Sequence, residues 1–322
     1  MATTRAKARA RARELRGRLL SRELQQLERV RRLLRRGEVD VLVLGDSSCL
    51  TAAARDTDLR MIPDLISEQL GGARVVTLAG PGFNPHIHAE MVRVLAALEQ
   101  RPAAAVFSSA VRTSLVQVTG HPVYRYREVL DALARTDGRG RIRSLGRGSR
   151  PTPEDYAAFD ATEVVTRWGG RTTMGDFRAA IKGTGPHPWP LPQRKLLFDY
   201  FHGELLPDDA PALETWRELG RRLTEYGVPT VGYSPPAPTH HGELLYPGEF
   251  ADQYLHNYEL FKGAFHSTAP GIPLVDLDLA DEDFEFSPNG TEHFAFSGRL
   301  QIATRVVEAL RAVGAPDRFP AR

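Results

Sequence analysis

After Gly37, short and continuously apolar segments alternate with longer amphipathic segments, and this alternation restricts the fold more than any other feature. The apolar segments are VDVLVLG (39–45), RVVTLAG (74–80), AAAVFSSA (103–110), VPTVGYS (228–234) and IPLVDLD (272–278). Helices are predicted at 57–72, 86–100, 212–227, 250–266 and 297–314. Strands that are apolar on both faces are typical of a parallel sheet covered by helices on both sides. The sequence therefore predicts an α/β fold, a three-layer α/β/α sandwich.

Residues 115–200 do not follow this alternation. They include the basic, glycine-rich stretch GRGRIRSLGRGSRP at 138–151, which is typical of an exposed loop, and short helical fragments. Insertions above a sheet commonly form lids or walls of a substrate site. We therefore predict one α/β domain over 38–322 with an insertion at about 115–200.

The N-terminal segment differs from the rest of the chain in charge. Residues 1–36 carry a net charge of +10, whereas the remaining residues carry −8. Leucine and valine recur at three- to five-residue steps from Leu15 to Leu34, which predicts a basic amphipathic helix within residues 1–37. This helix is expected to dock on the acidic body. An acidic carrier protein, nucleic acid or an anionic membrane surface is the open alternative, although no aromatic residue there provides a platform for base stacking.

Composition excludes several classes of protein. A single cysteine, Cys49, rules out an intramolecular disulfide and a cysteine-rich metal site. No apolar stretch approaches the roughly 20 residues that span a bilayer, and the start of the chain lacks the apolar centre of a secretion signal. No phosphate-binding or dinucleotide-binding glycine motif follows a strand. We therefore expect a cytoplasmic protein with no membrane span and no cofactor.

Three predicted strands end in residues that suit one shared site. The first strand stops at GDSS (45–48), the second is followed by Gly82, and the third is followed by Arg112. Carboxyl ends of parallel strands meet at one edge of a sheet, where ligands bind. Ser47 at such an edge can present a hydroxyl and a backbone N–H to a carbonyl group. The alternative is that Ser47 or Ser48 only caps a helix.

A histidine near the end of the chain completes this set. His293 lies in NGTEHFAFSGR (289–299), between the last predicted strand and the last predicted helix. The loop after that strand opens onto the same edge of the sheet as Ser47, and histidine is the usual base for activating a serine hydroxyl. The alternative is a surface histidine without a role in chemistry.

This set of motifs resembles the SGNH, or GDSL-type, hydrolases, over roughly residues 38–315. The resemblance is greatest to a bacterial branch with modified third and last blocks, here SAVRTS (109–114) and TEHFAFSGR (291–299). It implies a flavodoxin-like sheet, Ser47 as the nucleophile and His293 as the base. It also implies an oxyanion hole formed by the backbone N–H groups of Ser47 and Gly82. Asn84 and Arg112 are further candidates for oxyanion or substrate binding.

The chain departs from the family at two positions. Ala110 stands where the third block usually supplies an asparagine side chain to the oxyanion hole. Gly290 stands three residues before His293, where the family has an aspartate. The imidazole is then oriented by Glu292, by a backbone carbonyl or by an acid of DEDFE (281–285). Of these, Glu292 is the predicted catalytic partner.

Other histidines and the cysteine have simpler interpretations. His86 and His88 lack an identifiable third metal ligand, so no metal site is predicted. His240 and His241 follow a strand and either line the cleft or face solvent. Cys49 next to the nucleophile is expected to pack rather than react.

These residues predict a serine-dependent esterase that acts through an acyl-enzyme on a small ester or thioester. Two alternatives stay open. One is an acyltransferase that passes the acyl group to an alcohol or amine, with the group delivered by an acidic carrier protein. The other is a catalytically weakened binding protein on the same fold, which the replaced asparagine and aspartate favour.

Overall fold

The computed structural model describes residues 21–115, 126–136, 142, 152–181 and 190–315. Its strands are β1 (Val41–Gly45), β2 (Val75–Ala79), β3 (Ala104–Ser108), β4 (Glu163–Thr166), β5 (Gly170–Thr173), β6 (Thr230–Tyr233) and β7 (Leu274–Val275). Its helices are α1 (Arg22–Arg35), α2 (Ile62–Gln69), α3 (Pro85–Ala96), α4 (Arg127–Ala134), α5 (Pro153–Asp160), α6 (Met174–Ile181), α7 (Leu191–His202), α8 (Pro211–Tyr226), α9 (Thr239–Leu245), α10 (Phe250–His266) and α11 (Phe296–Ala312).

A parallel sheet of five strands forms the centre of the molecule. Its strand order is β2-β1-β3-β6-β7, and every pair of neighbours is parallel. This is the flavodoxin-like arrangement, in which the first two strands exchange places relative to their order in the chain. Each residue of β1 and β3 is buried, as expected for strands with helices on both faces.

Two helical layers cover the sheet. Leu42 and Leu44 point to a face covered by α1, α3, α8 and α10, whereas Val41 and Val43 point to a face covered by α2 and α11. The period of two along β1 thus divides its side chains between two apolar cores. The predicted three-layer α/β/α sandwich is confirmed. α2 begins at Ile62 and not near residue 57; before it, the backbone N–H of Arg60 donates a hydrogen bond to the carboxylate of Asp58.

Helix α1 is part of the packed body. Leu24, Leu27, Val30 and Leu34 are each at most 2% exposed and lie in the same apolar core as α3. Its amino end is capped by Ser21, whose Oγ accepts a hydrogen bond from the backbone of Leu24. Residues 1–20, which carry seven of the basic residues of this segment, lie outside the described residues.

The predicted insertion contains an antiparallel hairpin that the sequence pattern did not indicate. β4 pairs with β5, and the hairpin packs on α6 and α7 through an apolar cluster that includes Val164, Phe177 and Tyr200. The carboxylate of Asp199 on α7 accepts hydrogen bonds from the Thr166 hydroxyl and the Trp168 backbone N–H, which fixes the hairpin turn to the helix. Of the basic loop at 138–151, only Ile142 is described. α7 is therefore joined to the hairpin by apolar packing and by hydrogen bonds of Asp199.

Within the described ranges, no helix combines the length and apolar character needed to cross a membrane.

Candidate active site

Ser47 begins a short 3₁₀ turn, Ser47–Cys49, directly after β1. The cap of this turn is Asp46, whose Oδ1 accepts a hydrogen bond from the Ser48 N–H at 2.8 Å. The Oδ2 atom of Asp46 accepts a second bond, at 3.3 Å, from the N–H of Ala110 at the end of β3. Burial raises the pKa of Asp46 above its usual value. Because Asp46 supplies the cap, the hydroxyl of Ser47 is not used for capping, and the turn is fixed across two strands.

The neighbouring cysteine is a packing residue. A Cβ atom on Gly45 would lie 2.5 Å from Cys49 Sγ, so the close approach of this side chain requires glycine there. The Cys49 Sγ atom lies 3.2 Å from the hydroxyl of Tyr233 on β6. Burial raises the pKa of Cys49 to about 12, which keeps the thiol protonated at neutral pH and unsuited to nucleophilic attack.

The segment 284–295, called the histidine loop below, brings His293 to Ser47. Phe284 and Phe294 form an antiparallel bridge, and the N–H of Glu285 donates to the carbonyl of His293 at 2.8 Å. The Nε2 atom of His293 lies 3.2 Å from Ser47 Oγ, although the two residues are 246 positions apart. A histidine base and a serine nucleophile require a contact of this kind.

The acid nearest to the other imidazole nitrogen is Glu285. Its Oε2 atom lies 3.6 Å from His293 Nδ1. The carboxylate of Glu292, the predicted partner, instead forms an ion pair with Arg112. Burial, followed by the positive charge of Arg112, lowers the pKa of His293 to about 4. The imidazole is therefore neutral at pH 7 and able to accept a proton.

Arg112 and Glu292 form a buried ion pair beside this contact. The Nε atom of Arg112 donates to Oε2 of Glu292, a side chain that is 2% exposed. The guanidinium group of Arg112 also lies 4.7 Å from the ring centroid of Phe201 on α7. Burial raises the pKa of Glu292 to about 7, although the charge of Arg112 acts in the opposite direction. The pair connects the end of β3, the histidine loop and the insertion.

The predicted oxyanion residues lie after β2 and β3. Gly82 has a φ of +73°, a left-handed conformation that favours glycine in the turn leading to α3. Asn84 caps α3, because its Oδ1 accepts a hydrogen bond from the Ile87 N–H at 3.0 Å. Ala110 is buried, and its N–H already donates to Asp46. Participation of Gly82, Asn84 and Arg112 in oxyanion or substrate binding stays a prediction.

The two histidines of the HIH motif lie in different surroundings. On α3, His86 is exposed whereas His88 is buried, with its Nε2 3.4 Å from the carbonyl oxygen of Gly45. Burial lowers the pKa of His88 to about 4. Across the residues that the structure describes, no group of three or more His, Cys, Asp or Glu side chains has the geometry to hold a metal ion.

The histidines after β6 lie on α9. His240 is exposed and its Nδ1 lies 2.9 Å from Asp281 Oδ2, whereas His241 packs against Phe198. The residue that sequence reasoning missed is His202, at the end of α7. It is 2% exposed and its Nε2 lies 2.9 Å from the carbonyl oxygen of Gly290 in the histidine loop. His202 lies just beyond the irregular stretch 115–200, and no sequence signal pointed to it.

Comparisons with known proteins assign no family. No model of a protein family and no curated protein matches the chain. One similar solved structure is LAE5, described as an alpha/beta hydrolase enzyme from the metagenome of Lake Arreo, Spain, with 12% identity, a TM-score of 0.41, and coverage of 86% of this chain and 95% of that one. A second has 16% identity, a TM-score of 0.38, and coverage of 85% and 96%. Both TM-scores are below 0.5, so no activity is transferred from these proteins.

Proposed function

We propose that this protein is a serine-dependent acyl hydrolase of the SGNH type, which acts on a small ester or thioester through an acyl-enzyme. The observation that carries the proposal is the 3.2 Å contact between Ser47 Oγ and His293 Nε2 at the carboxyl edge of the sheet. The buried cap supplied by Asp46 supports it, because it holds the Ser47 turn rigidly against β3.

In the proposed mechanism, His293 Nε2 takes the proton of Ser47 as Oγ attacks the substrate carbonyl carbon. The oxyanion of the tetrahedral intermediate accepts hydrogen bonds from the backbone N–H groups of Ser47 and Gly82. Collapse breaks the bond to the alcohol or thiol, which leaves with the proton from His293. Water then attacks the acyl-enzyme as His293 takes its proton. The bond to Ser47 Oγ breaks, His293 returns the proton to Oγ, and the acid product leaves. Glu285 stabilises the imidazolium ion by its charge.

Because Ala110 supplies no side-chain donor to the oxyanion hole, the rate of the proposed reaction is expected to be reduced. An oxyanion hole without a side-chain donor loses roughly 3–4 kcal/mol of transition-state stabilisation. Arg112 is the nearest cation in the third block, but its guanidinium group is engaged by Glu292. We therefore expect slow turnover of activated esters. An acceptor alcohol or amine replaces water in the last step if the protein is an acyltransferase.

The first test is labelling of the purified protein with a fluorophosphonate probe, which reacts with activated serines without knowledge of the substrate. The expected result is a single adduct on Ser47, and loss of that adduct in Ser47→Ala and His293→Ala. Ser48→Ala is the matched control, because it removes the adjacent hydroxyl and leaves the Ser47–His293 contact in place. A folded wild-type protein that takes up no probe refutes the proposal and favours a binding protein.

A second test separates hydrolysis from transfer. Release of p-nitrophenol from p-nitrophenyl acetate is compared with acyl transfer from a thioester bound to an acidic carrier protein, and mass spectrometry identifies the acyl-serine intermediate. Hydrolysis with acyl-Ser47 supports the esterase. Transfer to an added amine or alcohol, with little hydrolysis, supports the acyltransferase. If neither substrate gives acyl-Ser47, both versions of the acyl-enzyme mechanism fail.

A further inference from the structure

The carboxyl end of α7 packs against the histidine loop, so the insertion contacts the loop that carries the proposed base. Phe201, the second-last residue of the helix, lies under the guanidinium group of Arg112. His202, the last residue, reaches the backbone of Gly290. The helix is itself anchored, because Gln253 on α10 donates a hydrogen bond to the carbonyl oxygen of His202.

The hydrogen bond from His202 has a defined direction. Burial lowers the pKa of His202 to about 3, so the ring carries a single proton at neutral pH. Within the described part of the chain, its Nδ1 atom has no hydrogen-bond partner. The proton is therefore best placed on Nε2, from where it is donated to the carbonyl oxygen of Gly290 at 2.9 Å. This bond satisfies a backbone carbonyl three residues before His293.

Gly290 is fitted closely to the same helix. Its φ of +65° lies in the left-handed region, and a Cβ atom there would be 3.1 Å from Cδ2 of Phe198. Phe198 is fully buried and packs against Phe250, so its ring has little room to withdraw. Position 290, where the SGNH resemblance expects an acid, thus packs against α7 and leaves little space for a side chain. The carboxylate beside His293 Nδ1 is that of Glu285, at 3.6 Å.

We propose that His202 is a positioning residue for His293: its hydrogen bond to Gly290 holds the histidine loop in the conformation that places the imidazole against Ser47. The consequence for catalysis rests on the proposed function, whereas the effect on loop position does not. Among the described residues, Glu285 lies beside Nδ1 of His293, and Arg112, paired with Glu292, contributes positive charge at the imidazole.

The test uses His202→Leu and His202→Asn as disrupting variants of the full chain. Leucine removes the donor, and the asparagine amide is too short to reach Gly290. His202→Gln is the rescue variant, because its amide nitrogen can occupy nearly the position of Nε2. His256→Leu is a control for the loss of a histidine hydrogen bond outside the site, at an exposed position. His256 also has its Nε2 within hydrogen-bond distance, 3.0 Å, of a backbone carbonyl, that of Leu206, but it does not belong to the site.

Two measurements are made on each variant. NMR titration reports the pKa of His293, and the rate of fluorophosphonate labelling reports the activation of Ser47. In His202→Leu and His202→Asn, loosening of the loop hydrates the imidazole, so the pKa is expected to rise from about 4 toward that of an exposed histidine. The labelling rate is expected to fall by about 10- to 100-fold, since a small misplacement of a catalytic group has an effect of this size. His202→Gln and His256→Leu should stay near wild type.

The outcomes separate this proposal from the proposed function. If both disrupting variants keep the wild-type His293 pKa and labelling rate, His202 is not a positioning residue, and the serine mechanism stands. If wild type is not labelled, the serine mechanism fails, and the titration alone decides the role of His202. If His202→Leu does not fold, the comparison of His202→Asn with His202→Gln still decides: equal values for these two variants overturn the proposal.

Discussion

Replacement of Gly290 by alanine should destabilise the protein through two separate effects that the structure allows us to estimate. The left-handed backbone, with φ +65°, costs a residue with a Cβ atom roughly 1–2 kcal/mol. The 3.1 Å approach to Phe198 adds about 1–3 kcal/mol, which is typical of overpacking in a buried region. We therefore expect the free energy of unfolding to fall by about 2–5 kcal/mol in total.

Gly248→Ala provides the matched control. Gly248 has a φ of +73°, but a Cβ atom there meets no other atom within 4 Å. This variant should lose only the backbone contribution of roughly 1–2 kcal/mol. Urea unfolding at pH 7, followed by circular dichroism, measures both variants. If Gly290→Ala is no more destabilised than Gly248→Ala, the histidine loop does not pack tightly on α7, and the argument for positioning by this helix loses its structural basis.

A related variant, Gly290→Asp, introduces an acid at the position that the SGNH resemblance expects. The same backbone and packing costs apply, so we expect lower stability and no gain in the fluorophosphonate labelling rate. An increase in that rate at unchanged stability would show that the orienting acid can be supplied from position 290 and would weaken the role assigned to Glu285.

Three further predictions concern residues of the candidate site. Because the pKa of His293 is lowered to about 4, NMR titration of its imidazole should show protonation only below about pH 5, and a midpoint near 6.5 for this ring would contradict the prediction. Glu285→Gln should lower the labelling rate by at least about tenfold, whereas Asp281→Asn, an acid that contacts the exposed His240, should not change it. Asp46→Ala leaves two buried N–H groups without a carboxylate, so urea unfolding should show a loss of about 2–4 kcal/mol, and a loss below 1 kcal/mol would argue against the cap.

The buried pair of Arg112 and Glu292 gives the site an unusual charge arrangement. The charge of Arg112 contributes to the lowered pKa of His293. Burial raises the pKa of Glu292 to about 7. Breaking such a pair generally destabilises a protein more than the pair stabilises it, because one charge is left buried without a partner. We therefore interpret the pair as a contact that fixes the histidine loop to the end of β3, and not as a net contribution to the free energy of unfolding.

The sequence alone predicted the sheet and its helices, because burial on one or both faces leaves a periodic pattern in neighbouring residues. The bounds of β1, β2, β3 and β6 agree with the predicted segments within two residues. The three-layer sandwich and its parallel sheet follow from this local pattern. The hairpin of β4 and β5 was missed because its strands are four residues long, and several of their side chains are polar and exposed.

For the candidate site too, the sequence predicted some features and missed others. Ser47 and His293 follow strands whose carboxyl ends must share an edge, so the sequence could place them near each other, and the structure brings them within 3.2 Å. Which acid faces the imidazole depends on the path of the loop and on what packs beneath it. Glu292 is adjacent in the chain but bonds to Arg112, whereas Glu285 reaches Nδ1 across the bridge of Phe284 and Phe294. Arg112 and Glu292 are 180 positions apart, so only the tertiary structure brings them together. Glu285 and His293 are close in the chain, but which acid faces the imidazole depends on the bridge that folds the loop and on the engagement of Glu292 by Arg112.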